Sequence, residues 1–339
     1  MRYELLFPLL LTFMLTLVIL PKWIKKCRDI GYVWEDMNKF NHPKNVAASG
    51  GVVVILAFII GVLAYIAIRT FVFSVNVTGV NVYIFALLNV ILLLAVVGLT
   101  DDLLGWRYGG LSIKFRLFLA FLASIPLVVI NAGNHTIAVP FFGVVELGLL
   151  YPFVVIPIGI AGATTTYNFL AGLNGLETGQ GIILVSFFSL VAYLTGNPWV
   201  SVIGMTMVSG LFVFYFYNKN PAQVFPGDIL TYSIGALLAC MAILGNFEKI
   251  AVFMFIPYII ETVLKLKGKL KKQSFGIPQQ DGSIELPYEK LYGLTHVSLF
   301  ILKKCKKKVY EQEIVYLIFA FQIAVCLLGL FLFRGGLSL

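Results

Sequence analysis

The feature that most restricts this chain is a succession of ten largely apolar runs, at about residues 3–22, 46–69, 82–100, 112–131, 149–167, 180–195, 198–217, 228–245, 249–266 and 312–333. A bilayer crossing needs about 20 such residues, and an apolar run satisfies its own backbone groups in hydrocarbon only as a helix. The chain therefore reads as an all-α, polytopic membrane protein of about ten transmembrane helices, a single domain over residues 1–339. With 60% hydrophobic and 12% charged residues, a pair of soluble domains is excluded. The first run is too long, and too poor in small residues at its end, to be a cleaved signal peptide.

Ten spans place 21 of the 25 Lys and Arg residues on one face, leaving Arg2, Arg69, Lys249 and Arg334 on the other. By the positive-inside rule the crowded face is cytoplasmic and both termini lie outside. The +9 net charge is thus a topology signature first and evidence for an anionic partner second. No nucleic-acid module is present. Cys27, Cys240, Cys305 and Cys326 show no metal-ligand spacing, and His42, His135 and His296 are scattered.

Between the fifth and sixth runs lies Tyr167 to Gly181, with three carboxamides, a carboxylate and four glycines, a composition that hydrocarbon does not reward. Glycines let backbone N–H groups approach a ligand, and Asn168 and Asn174 offer neutral oxygen and N–H₂ groups suited to a phosphate or metal. A plain turn between helices is the alternative. Asp101 and Asp102 close the third run at the cytoplasmic edge, where a pair of carboxylates calls for a cation. Adjacent helical residues point about 100° apart, so one can face a site while the other faces a partner helix or a lysine. Lys114 enters the fourth run and either snorkels or reaches a phosphate. Asp228 begins the eighth run, after Phe225-Pro226-Gly227, as an N-cap or as a ligand. Ser49-Gly50-Gly51 opens the second run with residues small enough for close approach of a nucleotide or another helix. The longest inner segment, about 265–311, contains an expected two-strand turn around Asp281-Gly282, then a basic amphipathic stretch from Leu291 to Lys308. Its Lys303–Lys308 run suits a lipid-headgroup anchor.

In this order, Ser-Gly-Gly, Leu99-Thr100-Asp101-Asp102, Asn168-Phe169-Leu170-Ala171-Gly172-Leu173-Asn174-Gly175-Leu176-Glu177 and Phe225-Pro226-Gly227-Asp228 resemble the polyprenyl-phosphate N-acetylhexosamine-1-phosphate transferases. The third motif is similar to the dolichyl-phosphate GlcNAc-1-phosphate transferase branch rather than the peptidoglycan-precursor branch. The resemblance covers nearly the whole chain and implies transfer of a sugar 1-phosphate from a UDP-N-acetylhexosamine to a polyprenyl (dolichyl) phosphate. The reaction would occur at the cytoplasmic face, with Mg²⁺, or Mn²⁺ in its place, and UMP would be released. It also implies Asn168 and Asp228 as metal ligands, Asp101 and Asp102 as acids acting on the lipid phosphate, and Lys114 as a phosphate-binding lysine. Gly172, Asn174 and Phe225 would bind uracil. Glu177 belongs to the motif without a separate role, and a homodimer is left open.

Two departures stand out. Where the branches carry an Arg-His-Arg or a histidine-rich segment, this chain reads Ser274-Phe275-Gly276, leaving Lys269, Lys271 or Lys272 as diphosphate partners. Where the family has a Glu in the first inner loop, it reads Ala-Ala-Ser. A transporter or lipid flippase with intramembrane acids is the rival class, but it would place its polar groups near mid-bilayer. A non-catalytic membrane scaffold is the second rival.

Overall fold

The structure, a computed structural model, describes residues 5–73, 79–139 and 143–336. In chain order the helices are α1 (Leu6–Asp29), α2 (Gly51–Ala67), α3 (Val80–Tyr108), α4 (Ile113–Leu122), α5 (Ile125–Val129), α6 (Ile156–Phe169), α7 (Leu176–Leu194), α8 (Pro198–Asn218), α9 (Gly227–Gly245), α10 (Glu248–Met254), α11 (Ile256–Lys267), α12 (Leu294–Cys305) and α13 (Glu311–Leu332). Among the described residues seven helices are long and apolar enough to cross a membrane: α1, α2 with its continuation to Val72, α3, α7, α8, α9 and α13. The other three expected spans are each broken. The α4–α5 break precedes Pro126, a wide turn at Tyr151–Val155 leads into α6 between Pro152 and Pro157, and α10 gives way to α11 just before Pro257. Proline lacks an N–H and its ring crowds the carbonyl four residues back, so a helix bends or restarts there. Arg2, residues 3 and 4 of the first expected span, and residues 140–142 between the fourth and fifth expected spans lie outside the described residues.

Helix α9 is the axis of the bundle, with every residue from Ile229 to Gly245 buried and α3 and α6 packed along it. Close approach depends on missing side chains. A Cβ on Gly98 would lie 2.5 Å from the Asp228 carbonyl, and one on Gly235 would lie 2.6 Å from the Thr164 Cα. Small residues serve this purpose in lipid, where packing rather than hydrophobicity joins helices. The two crossings carry Asp101 and Asp102 of α3, and Asn168 of α6, to the first turn of α9.

Three boundaries differ from the expectation. Helix α3 runs on past the Asp pair to Tyr108, α6 includes Asn168, and α7 starts at Leu176, so the irregular backbone shrinks to 170–175. Antiparallel strands β1 (Val33–Glu35) and β2 (Lys44–Ala47) form an unanticipated hairpin in the first inner loop, and β3 (Thr136–Val139) pairs with β4 (Gly143–Glu146). Strands β5 (Ile277–Pro278) and β6 (Ile284–Glu285) flank Asp281-Gly282, and α12 follows. The basic run also pairs with acids of the chain itself. Lys303 pairs with Glu285, Lys306 with Glu313, and Lys308 with Asp281 at 2.6 Å. Three of its lysines therefore staple the β5–β6 hairpin and α13 to this segment. The Lys308 and Ser283 hydrogen bonds hold the Asp281 carboxyl well below its usual range.

Candidate active site

A cavity of about 500 Å³ opens where α3, α6 and α9 converge. Asp102, Asn168 and Asp228 line it, with Gly172, Phe225 and Thr231, closed over by Trp34, Asn38 and Lys44 of the first inner loop and Gln273 and Phe275 of the last.

Asp102 serves the start of α9. Its Oδ1 accepts the Asp228 N–H at 2.8 Å, while Oδ2 accepts the Ile229 N–H at 3.4 Å and the Ser49 hydroxyl at 2.9 Å. A carboxylate from another helix thus caps the free amides of α9, where the helix dipole favours negative charge. Asp228 is therefore not the cap; the cap position is Pro226, without a side-chain hydrogen bond. Gly227, at φ 72°, leaves room for this arrangement, since a Cβ there would stand 2.3 Å from Asp102 Oδ2. Behind Ser49 lies Tyr32, with hydroxyls 2.7 Å apart. Burial pushes the Tyr32 hydroxyl up to about 12, against the opposing Ser49 hydrogen bond, so it keeps its proton at neutral pH.

Asp101 turns away from Asp102 as their helical offset requires. Its Oδ1 accepts the Leu111 N–H, and its Oδ2 takes Arg116 Nη1 at 2.6 Å. The same Nη1 lies 3.2 Å from Asp228 Oδ2. Asn168 donates its Nδ2 to that oxygen at 3.3 Å and accepts from Thr231 Oγ1 on Oδ1 at 2.9 Å.

The glycine-rich loop is held by its own backbone groups. The Gly172 N–H donates to Glu177 Oε1 at 2.9 Å, and the Gly172 carbonyl accepts from Asn38 Nδ2 at 2.5 Å. A Cβ on Gly172 would meet the Phe275 ring at 2.9 Å. Asn174 sits behind this surface rather than on the cavity wall. It donates its N–H to Glu311 Oε1 at 2.6 Å and its Nδ2 to Asp36 Oδ2 at 2.9 Å. Lys39 closes the network by donating to Glu311 at 2.5 Å and to Asn220 Oδ1 at 2.6 Å.

Of the residues singled out in the sequence, Ser49, Asp102, Asn168, Gly172, Glu177, Phe225 and Asp228 share one cavity, and Asp101 adjoins it through Arg116. Lys114, Lys271 and Lys272 do not line it. Lys114 and Lys271 are exposed, and Lys272 lies over the Tyr288 ring at 4.6 Å. Gly50 and Gly51 pack against Val224 and Pro226 rather than against the cavity. Among the described residues Arg116, two positions beyond Lys114, is the cation paired with Asp101 and Asp228. Asp36, Lys39 and Glu311 were not legible, because they meet only across more than 130 positions of chain.

An all-α membrane bundle with an acidic, carboxamide-lined cavity at one end of three helices defines the class, and the comparisons agree with it. The profile described as Glycosyl transferase family 4 matches residues 84–246. A provisionally named UDP-N-acetylglucosamine–dolichyl-phosphate N-acetylglucosaminephosphotransferase from Saccharolobus solfataricus is 32% identical, the match covering 91% of this chain and 91% of the relative. The Dictyostelium discoideum protein of the same name, without the qualifier, is 28% identical over 81% and 72% of the two chains. A phospho-N-acetylmuramoyl-pentapeptide-transferase from Caldanaerobacter subterraneus is 31% identical over 62% and 68%. The chain belongs to this family, the polyprenyl-phosphate N-acetylhexosamine-1-phosphate transferases whose motifs it carries.

Proposed function

We propose that the protein transfers GlcNAc-1-phosphate from UDP-GlcNAc to dolichyl or another polyprenyl phosphate, releasing UMP. The observation that carries the reading is the single cavity shared by Asp102, Asn168, Gly172, Phe225 and Asp228, in a chain that matches proteins bearing the name of that activity over 91% and 81% of its length. We further infer ten crossings, with the α4–α5, α6 and α10–α11 spans broken at their prolines, and a cavity facing the cytoplasm. The support is the 21 basic residues that this topology gathers on the cavity's side.

The chemistry is an in-line displacement. An oxygen of the lipid phosphate attacks the β-phosphorus of the UDP-sugar, the bond from that phosphorus to the bridging oxygen breaks, and UMP leaves with the bridging oxygen. Positioning and charge neutralisation carry most of the catalysis. Asp102 fixes the first turn of α9, and so places Asp228 beside Asn168. Lys44 supplies a cation on the cavity wall and Arg116 one beneath the acids. Gly172, Phe225 and Phe275 offer a flat apolar surface for the base or sugar. Asp228 and Asn168 offer carboxylate and carboxamide oxygen as their metal-ligating atoms, with no sulfur or imidazole beside them, a donor set that fits a hard cation such as Mg²⁺ or Mn²⁺ better than a soft one. Asp228 and Asn168 would hold it, and when bound it would neutralise charge on the diphosphate.

The test is to mix purified protein with dolichyl phosphate, a divalent cation and each of several UDP-sugars, and to follow UMP. UDP-GlcNAc should give the highest kcat/KM. Preference for another UDP-sugar would reassign the donor, and UMP formed without dolichyl phosphate would remove the acceptor.

A further inference from the structure

Both side chains assigned above to the metal are already engaged. Asp228 Oδ2 receives the Arg116 guanidinium at 3.2 Å and the Asn168 amide N–H₂ at 3.3 Å, and the Asn168 oxygen is turned to Thr231. Arg116 also holds Asp101 at 2.6 Å, so one guanidinium spans two acids from different helices. Such a group keeps its charge at any working pH, and it leaves only by moving. A fixed positive charge on an Asp228 oxygen opposes a divalent cation at the same carboxylate.

We propose that Arg116 and the divalent cation are alternative partners of Asp228, so that the metal site is closed in the substrate-free protein and opens when substrate phosphate draws the guanidinium off. The inference rests on the metal assignment above and adds an order to it. Metal alone binds weakly; metal and anionic substrate bind together. By linkage, each tightens the other by the same factor. Opening also turns the Asn168 amide, because its oxygen rather than its N–H₂ must face the metal. Arg116 suits this role by place as well as charge. It approaches from α4, and it lies with Asn168 and Tyr232 in a small crevice between α4 and α6, outside the main cavity.

The experiment is Mn²⁺ binding to the full-length protein in lipid nanodiscs, read from the free-ion electron paramagnetic resonance signal. Without substrate, Arg116→Gln should bind Mn²⁺ about tenfold or more tighter than the wild type. Lys114→Gln, which removes the same charge from an exposed side chain on the same helix, should change affinity much less. UDP-GlcNAc or dolichyl phosphate should tighten Mn²⁺ binding to the wild type but add little to Arg116→Gln. Should Arg116→Gln misfold, Arg116→Lys serves instead: a single ammonium bridges two carboxylates poorly, and its affinity should lie between the two. Folding is checked by retained UMP binding. Equal or weaker Mn²⁺ binding by the Arg116 variants, or an equal gain in Lys114→Gln, overturns the inference while leaving the metal site standing. Absence of Mn²⁺ binding from every variant, with and without substrate, overturns the metal assignment and this inference with it.

Discussion

Asp102 Oδ1 accepts the backbone N–H of Asp228 at 2.8 Å, so a side chain of α3 closes the first turn of α9 and sets the position of the acid beside it. The adjacent aspartates therefore do different work. Asp102→Asn keeps a capping oxygen, whereas Asp102→Ala leaves the first amides of α9 without it. The alanine variant should lose about 1–2 kcal/mol of stability and most turnover, and the asparagine variant should lose turnover with a much smaller change in melting temperature. Asp101→Asn should lower turnover through Arg116 instead, and the two losses should not add. Thermal unfolding and steady-state rates on the wild type, the three single variants and the Asp101→Asn/Asp102→Asn double variant check this.

Glu311, only 2% exposed, joins α13 to the glycine-rich loop through Asn174 and to the first inner loop through Lys39. Glu311→Gln retains an acceptor for Asn174 but loses the charge that holds Lys39. The glycine-rich loop should then loosen, raising KM for the UDP-sugar more than it lowers kcat. Glu311→Ala should also cost about 1–3 kcal/mol of stability, since a buried N–H is left unpaired. Calorimetric UMP titration with a melting curve separates the two effects.

The α3–α9 crossing should tolerate no side chain at Gly98. Gly98→Ala places a Cβ against the Asp228 carbonyl, and forcing the helices apart should cost about 1–3 kcal/mol and displace Asp102 from its amides. Turnover should fall further than the melting temperature alone explains. An unchanged rate would mean that the crossing is softer than its contacts indicate.

His296, on α12, is nearly buried and accepts the Tyr292 N–H on Nδ1 at 3.3 Å. Burial lowers its pKa, so the folded protein holds it neutral while the unfolded chain protonates near the ordinary value. As pH falls from about 7 through that value, the unfolded state binds the extra proton and stability drops, levelling once pH passes the folded pKa. The segment between α11 and α12, which carries Phe275, should open first. Limited proteolysis there should accelerate on acidification, and His296→Gln should flatten the dependence.

Much of the bundle was legible because apolar length is a local property, and so were the clusters at its ends, because carboxylates and carboxamides beside hydrocarbon are conspicuous one at a time. Breaks at Pro126 and Pro257 were visible as residues but not as interruptions, since Pro21 sits inside unbroken α1. Lys114 and Arg116 offered the same charge in the same hexapeptide; which of them faces the acids depends on how α4 is rotated against α3 and α9. Asn174 carries a ligand-like side chain, yet its N–H₂ is spent on Asp36, a partner 138 positions away. Phe275 stood out only as part of a departure from the family pattern; its position over Gly172 arises from the folding back of a loop, which no local feature announces.

The most direct measurement follows a label rather than a rate. UDP-GlcNAc carrying ³²P at the β-phosphate is mixed with dolichyl phosphate, a divalent cation and the purified protein, and the lipid and nucleotide products are separated. The account predicts that all transferred label appears in the lipid, in equal amount to unlabelled UMP, and that Asp228→Asn reduces both by about a hundredfold or more. Label recovered in UDP, with the sugar alone on the lipid, would contradict it.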